Sequence, residues 1–193
     1  MSNDPPRILA IDPGTRYMGI AILDGSELIY YGVNDFRRKR PADTLLGATR
    51  ETLCGLIAEY RPSVLAYEKS FYVQSKNSVF LQAQEAEIKR VARMRGLKAV
   101  GYAPTTVRQL LCEDRWATKE EVADLLAARY PELLRYRNRS DWVSEKYWLH
   151  MFDAVAVAVV CAEAGLVSGA DGVRARPAVG GREVPVPWRP RGR

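Results

Sequence analysis

Four residues have the types and spacing for hydrolytic metal chemistry: Asp12, Glu68, His150 and Asp153. Asp12 closes the apolar run Ile8-Leu9-Ala10-Ile11 and precedes a turn former, Pro13-Gly14. Glu68 closes a second run, Val64-Leu65-Ala66-Tyr67. His150 and Asp153 are three residues apart in a stretch of helical character, so they share one face. Asp153 opens the run Ala-Val-Ala-Val-Ala-Val-Val, and a carboxylate at the start of a buried helix needs a partner. In an α/β sheet, side chains at the strand ends line one crevice, and an acid on a helix across that edge points into it. Three carboxylates and an imidazole brought together repel one another, or one keeps a proton, unless a cation joins them. Oxygen-rich sites with room for water suit Mg²⁺ or Mn²⁺, and two such ions ~3.5–4 Å apart stabilise both oxygens of a phosphodiester displacement. Singly, each residue has a plainer reading: Asp12 as turn former, Glu68 as solvated edge charge, His150 as an ordinary core or surface histidine. Their combination carries the expectation.

The elements that must position these groups are legible from periodicity. Residues 7 to 11, 17 to 23 and 27 to 33 read as a three-stranded meander, with Asp24-Gly25-Ser26 as a hairpin turn. Residues 43 to 60 have helical spacing, stopped by Arg61-Pro62. A strand over 63 to 67 delivers Glu68. A helix over 77 to 95 ends at Gly96, and its wide apolar arc makes it the best candidate for an interface. A strand over 97 to 102 follows, then a short helix opened by Pro104-Thr105-Thr106. Thr118 caps a helix over 119 to 129, with Glu121 completing a capping box. Residues 132 to 146 are polar, basic and aromatic, and 147 to 164 form a last long helix. The expected fold is α/β: a mixed five-stranded sheet, antiparallel in its opening meander and parallel later, with helices on both faces. Residues 1 to 169 make one domain. Residues 170 to 193 read as a flexible tail rich in Pro, Gly and Arg.

Charge supports that division. The chain carries a net +6, and residues 174 to 193 hold six arginines against one acid, Glu183. The body is therefore nearly neutral, and the basic pI alone does not make it a nucleic-acid binder. Cys54, Cys112 and Cys161 match no zinc or C-x-x-C spacing, which points to a reducing compartment rather than a disulfide scaffold. The N-terminus has no signal-peptide pattern. The longest apolar run, Ala154 to Ala162, falls short of the ~20 residues of a membrane span. A soluble cytoplasmic protein is expected.

In order along the chain, the same residues resemble the motifs of the RuvC family of Holliday-junction resolvases, in the RNase H-like superfamily. Ile11-Asp12-Pro13-Gly14-Thr15 is similar to the opening motif, and Glu68-Lys69-Ser70-Phe71, with Asn77 beyond, to the second. Tyr102-Ala103-Pro104-Thr105-Thr106-Val107-Arg108 and Ala117-Thr118-Lys119-Glu120-Glu121-Val122 resemble the third region. His150-Met151-Phe152-Asp153-Ala154 resembles the fourth, where members place a carboxylate or histidine three residues before an Asp. The resemblance covers residues 7 to 164. It implies a metal-dependent endonuclease that acts as a homodimer on four-way DNA junctions in recombination and repair, using a pair of Mg²⁺ or Mn²⁺ ions. It also implies a branch-migration motor of the RuvAB type as partner. Asp12, Glu68, His150 and Asp153 would form the catalytic and metal-binding set. Phe71 would stand against bases near the junction centre, and Arg108 and Lys119 near the scissile strand, with Lys76 and Asn77 as further DNA contacts. The run Arg37-Arg38-Lys39-Arg40 is either a solvated loop or, beside a DNA groove, a phosphate contact.

Two departures stand out. Where the family has a glycine-rich turn, this chain reads Cys112-Glu113-Asp114-Arg115-Trp116, whose acids repel phosphate unless they face away. The stretch between Lys119 and His150 is also longer than usual. It holds Arg135, Tyr136, Arg137, Arg139, Trp142, Lys146, Tyr147 and Trp148, which either grip DNA or pack their aromatics inward. Three rival readings remain. An actin-like ATPase needs two domains around a nucleotide. A YqgF-like RNA-processing nuclease is usually shorter. A catalytically silent junction binder has no use for the carboxylate set.

Overall fold

The computed structural model describes residues 5–37, 42–70, 76–137 and 142–168. Strands β1 (Arg7–Asp12), β2 (Tyr17–Asp24) and β3 (Glu27–Asp35) form the antiparallel meander. Helix α1 (Ala42–Tyr60) leads to β4 (Val64–Glu68), and α2 (Lys76–Met94) leads to β5 (Lys98–Tyr102). Both β4 and β5 add in parallel, giving the strand order β3-β2-β1-β4-β5. Then come α3 (Pro104–Cys112), α4 (Lys119–Arg129), a 3-10 turn (Pro131–Leu133), α5 (Leu134–Arg137) and α6 (Trp142–Ser168).

Strand alternation sorts the core into two layers. Leu9, Ile11, Ile20, Ile22, Leu65 and Tyr67 face α1 and α2, where they meet Leu53, Leu56, Ile88 and Val91. Ile8, Ala10, Ala21 and Ala66 face α6, whose Ala154, Ala156 and Ala158 are fully or almost fully buried. Small residues on both sides let the helix lie close to the sheet. On the other layer Glu87 of α2 accepts from Arg50 of α1 at 2.6 Å and from Arg90 at 2.8 Å, so the two helices are tied by charge as well as by packing. Those guanidiniums, Arg90 foremost, hold the Glu87 carboxyl down at about 2.

The expected elements are present, with instructive shifts. β1 and β4 end on Asp12 and Glu68, one residue past the apolar runs that mark them in sequence, so both acids are strand residues. Their facing is therefore set by the pleat. The capping box at Thr118 forms as expected: Thr118 N donates to Glu121 Oε2 at 2.7 Å, and Glu121 N to Thr118 Oγ1 at 3.2 Å. Helix α6 starts at Trp142, before the expected 147, and residues 131 to 137 are helical where no element was expected. Apolar periodicity there is broken by arginines that pair locally: Arg137 Nε donates to Asp124 at 2.5 Å, and Arg135 lies 4.8 Å over the Tyr136 ring. The aromatics of this segment pack inward. Tyr136 is buried, in ring contact with Tyr31 and Trp148, and Trp148 meets Tyr147 at 4.8 Å. The side chains of Trp142 and Lys146, and residue Arg139, lie outside the described residues, as does the tail of 170 to 193.

The length and composition of Tyr147–Gly165, with mean hydropathy 1.4, would suffice to cross a membrane, although the longest unbroken apolar run within it is shorter. In the fold, every residue from Met151 to Cys161 is buried against the sheet and the helices α3 and α4. This is the position of a core helix.

Candidate active site

The site forms where the carboxyl ends of β1 and β4 meet α6. The parallel register pairs Ile8 with Val64 and Ile11 with Tyr67. Continued by one residue, it sets Asp12 beside Glu68 on neighbouring strands. Both follow the alternation of Ala10 and Ala66, so both belong to the α6 face. Across from them, α6 supplies His150 and, one turn on, Asp153. His150 Nδ1 lies 2.6 Å from Asp12 Oδ2. A carboxylate accepts, so Nδ1 is the donor in this contact and Nε2 is the ring nitrogen left facing away from Asp12.

A glycine makes this approach possible. Gly19 of β2 is the register partner of Asp12, and a Cβ there would fall 1.8 Å from the His150 carbonyl oxygen. The backbone of α6 rests in the space that any other side chain would fill. A lone glycine within the apolar strand pattern of residues 17 to 23 is a sequence signal of such close approach. Residue-type reasoning centred on titratable groups passed over it. Tyr17 adds a ring contact to His150, with centroids 5.8 Å apart.

The electrostatics show a site with excess negative charge. Burial, then the charges of Asp12 and Asp153, push Glu68 up to about 9, against the weaker pull of Lys119 and Arg108. Asp153 is pushed up to about 6 by burial and Asp12, although Lys119 donates to it directly. Burial disfavours the Lys119 ammonium, but Asp153, Asp12 and Glu68 together outweigh that and raise its pKa. Lys119 thus serves as an internal counter-ion, a role beyond the DNA contact expected from sequence. Nothing in the sequence pairs positions 34 residues apart, so only the packing of α4 on α6 reveals it.

A divalent cation fits this arrangement. One ligand atom each from Asp12, His150 and Asp153 lie within 4.8 Å of one another, and both aspartates are buried. The upward shifts of Glu68 and Asp153 mark a shortage of positive charge, and buried carboxylates are hard oxygen donors suited to Mg²⁺ or Mn²⁺.

The expected DNA contacts divide. Arg108 and Lys119 both reach the site's electrostatic field. Arg37 is exposed, but its guanidinium folds back on Asp35, donating at 2.7 Å, and lies 5.4 Å over the Tyr17 ring. Phe71, Arg38, Lys39 and Arg40 lie outside the described residues. Lys76 and Asn77 begin α2, and their side chains also lie outside the description. In the turn that departs from the family pattern, Glu113 takes the left-handed conformation that glycine favours, φ 58°. Asp114 turns its carboxylate onto the Trp116 N–H at 2.8 Å, which answers part of the concern about acids in this turn.

A mixed sheet of order β3-β2-β1-β4-β5, with acids at the ends of two neighbouring parallel strands and a third on the helix across them, is the layout of an RNase H-like fold with a candidate divalent-metal site. The profile of the family Crossover junction endodeoxyribonuclease RuvC matches residues 8–161, and the chain belongs to that family. It is 31% identical over 127 residues to the Crossover junction endodeoxyribonuclease RuvC of Akkermansia muciniphila, a match covering 63% of this chain and 76% of that one. The corresponding protein of Bacteroides fragilis is 30% identical over 124 residues, covering 62% and 66%. Among solved structures, the chain is similar to Thermus thermophilus RuvC in complex with Holliday junction substrate. There the TM-score is 0.68 at 22% identity, covering 84% of this chain and 96% of that one, and the likeness establishes the fold. Family members are metal-dependent endonucleases, so the actin-like and silent-binder readings fall away.

Proposed function

We propose that the protein resolves four-way DNA junctions by paired nicking of opposed strands, with divalent metal held by Asp12, Glu68, Asp153 and His150. What supports this is the convergence of Asp12, His150 and Asp153 within ligand distance of one another, with Glu68 outside that cluster but within the reach of its charges, and more carboxylate than Lys119 and Arg108 can neutralise. Mg²⁺ or Mn²⁺ ions, when bound, stabilise the attacking and leaving oxygens of a phosphodiester displacement. Asp12 orients the His150 ring and fixes its tautomer, so that Nε2 can ligate or accept a proton. Lys119 and Arg108 place positive charge beside the carboxylates, where a strand's phosphate must lie to be cut. Burial of Asp12 and Asp153 lowers the local dielectric and strengthens each of these interactions.

A junction with near two-fold symmetry calls for two related sites, and a C₂ homodimer supplies them. Helix α2 is the interface in this reading: Val79 and Phe80 near its start and Met94 at its end are exposed on the single chain. The arginines of residues 174 to 193 add sequence-independent attraction to the DNA backbone. The same reading assigns a branch-migration motor of the RuvAB type as partner.

The test is nicking of a synthetic four-way junction and of its linear duplex arms, with and without Mg²⁺. Symmetric, metal-dependent cuts in the junction alone are expected. Equal cutting of duplex, or preferential cutting of RNA, would overturn the assignment.

A further inference from the structure

We propose that Trp116 is a seat for an unpaired nucleobase of the cleaved strand, a specificity element set beside the catalytic cleft. The proposal rests on the junction-nuclease reading and goes beyond it. Trp116 is 76% exposed, more than any other large apolar side chain among the described residues. A ring held in water contributes little to the core, and Trp, with a broad apolar face and an N–H, is enriched at interfaces.

The backbone that carries the ring is held by hydrogen bonds. The Trp116 N–H donates to Asp114 Oδ1 at 2.8 Å, Ala117 N donates to Asp114 O at 3.2 Å, and Gln109 Nε2 donates to Glu113 O at 3.1 Å. Ala117, the next residue, is buried. The turn is therefore tethered on both sides of the ring, which limits the entropy lost when a ligand stacks on it.

The surroundings suit a base better than a phosphate. The Arg115 guanidinium lies 5.3 Å from the Trp116 ring centroid and also borders a cavity of about 240 Å³ with Leu110, Thr105, Thr106 and Gln109. Leu110 is itself 52% exposed. An aromatic face, an apolar wall, hydroxyl and amide groups and one guanidinium make a surface for stacking and for base-edge hydrogen bonds. Glu113 and Asp114 offset much of the nearby positive charge, so the turn lacks the net charge of a phosphate cradle. Trp116 also precedes Lys119 by three residues, a reach of at most ~11 Å. Lys119 donates to Asp153 and Arg108 of α3 acts on Glu68, so the turn that carries Trp116 joins two residues whose charges reach the carboxylates.

The test compares wild type with W116A, W116F and R115A. Binding of a fluorescently labelled four-way junction and of a linear duplex is titrated without divalent metal, at several salt concentrations. W116A should bind the junction on the order of tenfold more weakly, with the slope of log K against log salt unchanged, because stacking is lost and no phosphate contact is. W116F should recover most of the affinity, and duplex binding, where bases stay stacked, should not change. Junction affinity equal to wild type in W116A, or equal weakening for junction and duplex, overturns the proposal. A shift from dimer to monomer in sedimentation of W116A also overturns it, since the ring would then meet a second copy of the chain. Failure of the wild type to prefer the junction would overturn the functional reading first, and this inference with it.

Discussion

Asp12 and Glu68 end neighbouring parallel strands in register, and His150 lies 2.6 Å from the first of them. Removing charge at this point should abolish chemistry without loss of fold. Asp12→Asn or Asp153→Asn preserves size, so junction binding should persist while Mg²⁺-dependent nicking falls by orders of magnitude. Parallel binding and cleavage assays would decide this, and full cleavage by either variant at low Mg²⁺ would refute the role.

The raised Glu68 pKa makes a linkage prediction. In the folded, metal-free protein Glu68 keeps its proton up to about 9, whereas an ordinary carboxyl releases it near 4.5. Unfolding therefore releases a proton between these values, and this group's favourable contribution is lost as pH rises through the folded pKa. Metal displaces that proton, so metal affinity should rise over the same window. The increase in Tm on adding Mg²⁺ should be larger at about pH 8.5 than at about pH 6, and Glu68→Gln should flatten the difference. An equal Tm increase at both pH values in wild type would contradict the linkage.

Gly19→Ala tests the close approach of α6. The added methyl would meet the His150 carbonyl at 1.8 Å, so the helix must shift or the strand must bend. Overpacking of this kind costs about 1–3 kcal/mol. Thermal melts should show that loss, and Mg²⁺ should stabilise the variant less than wild type because His150 and Asp153 move together. A wild-type melt and Mg²⁺ response would show the approach to be looser than described.

Truncation after residue 173 removes six arginines and one glutamate. Affinity for junction and duplex should fall alike, and most at low salt, with the metal requirement unchanged. Titrations at two salt concentrations measure this. Selective loss of junction binding would instead show that the tail reads junction structure.

Much of this was legible from sequence because two strand patterns end on candidate site residues and the apolar stretch inside α6 begins just after a third. The run Ile8 to Ile11 points to a buried strand, and Asp12 at its end is conspicuous for its polarity. The same holds for Glu68 and Asp153. The facing of the two strand acids was not legible, because a boundary error of one residue decides whether the pleat or a loop directs the side chain. The Lys119–Asp153 pair was hidden because it depends on how α4 packs on α6. The helical turns over 131 to 137 were hidden because arginine pairs and ring contacts, rather than apolar period, stabilise them.

Helix α6 is at once the central core element and the carrier of His150 and Asp153. These two proposed metal ligands cannot therefore melt apart from the molecule. Amide protons of Met151 to Val160 and of β1 should exchange only through global opening, whereas α3 and the turn before α4, with exposed Leu110 and Trp116, should open at lower free energy. On warming, the protein should lose its hold on the substrate strand before it loses the centre that cuts it.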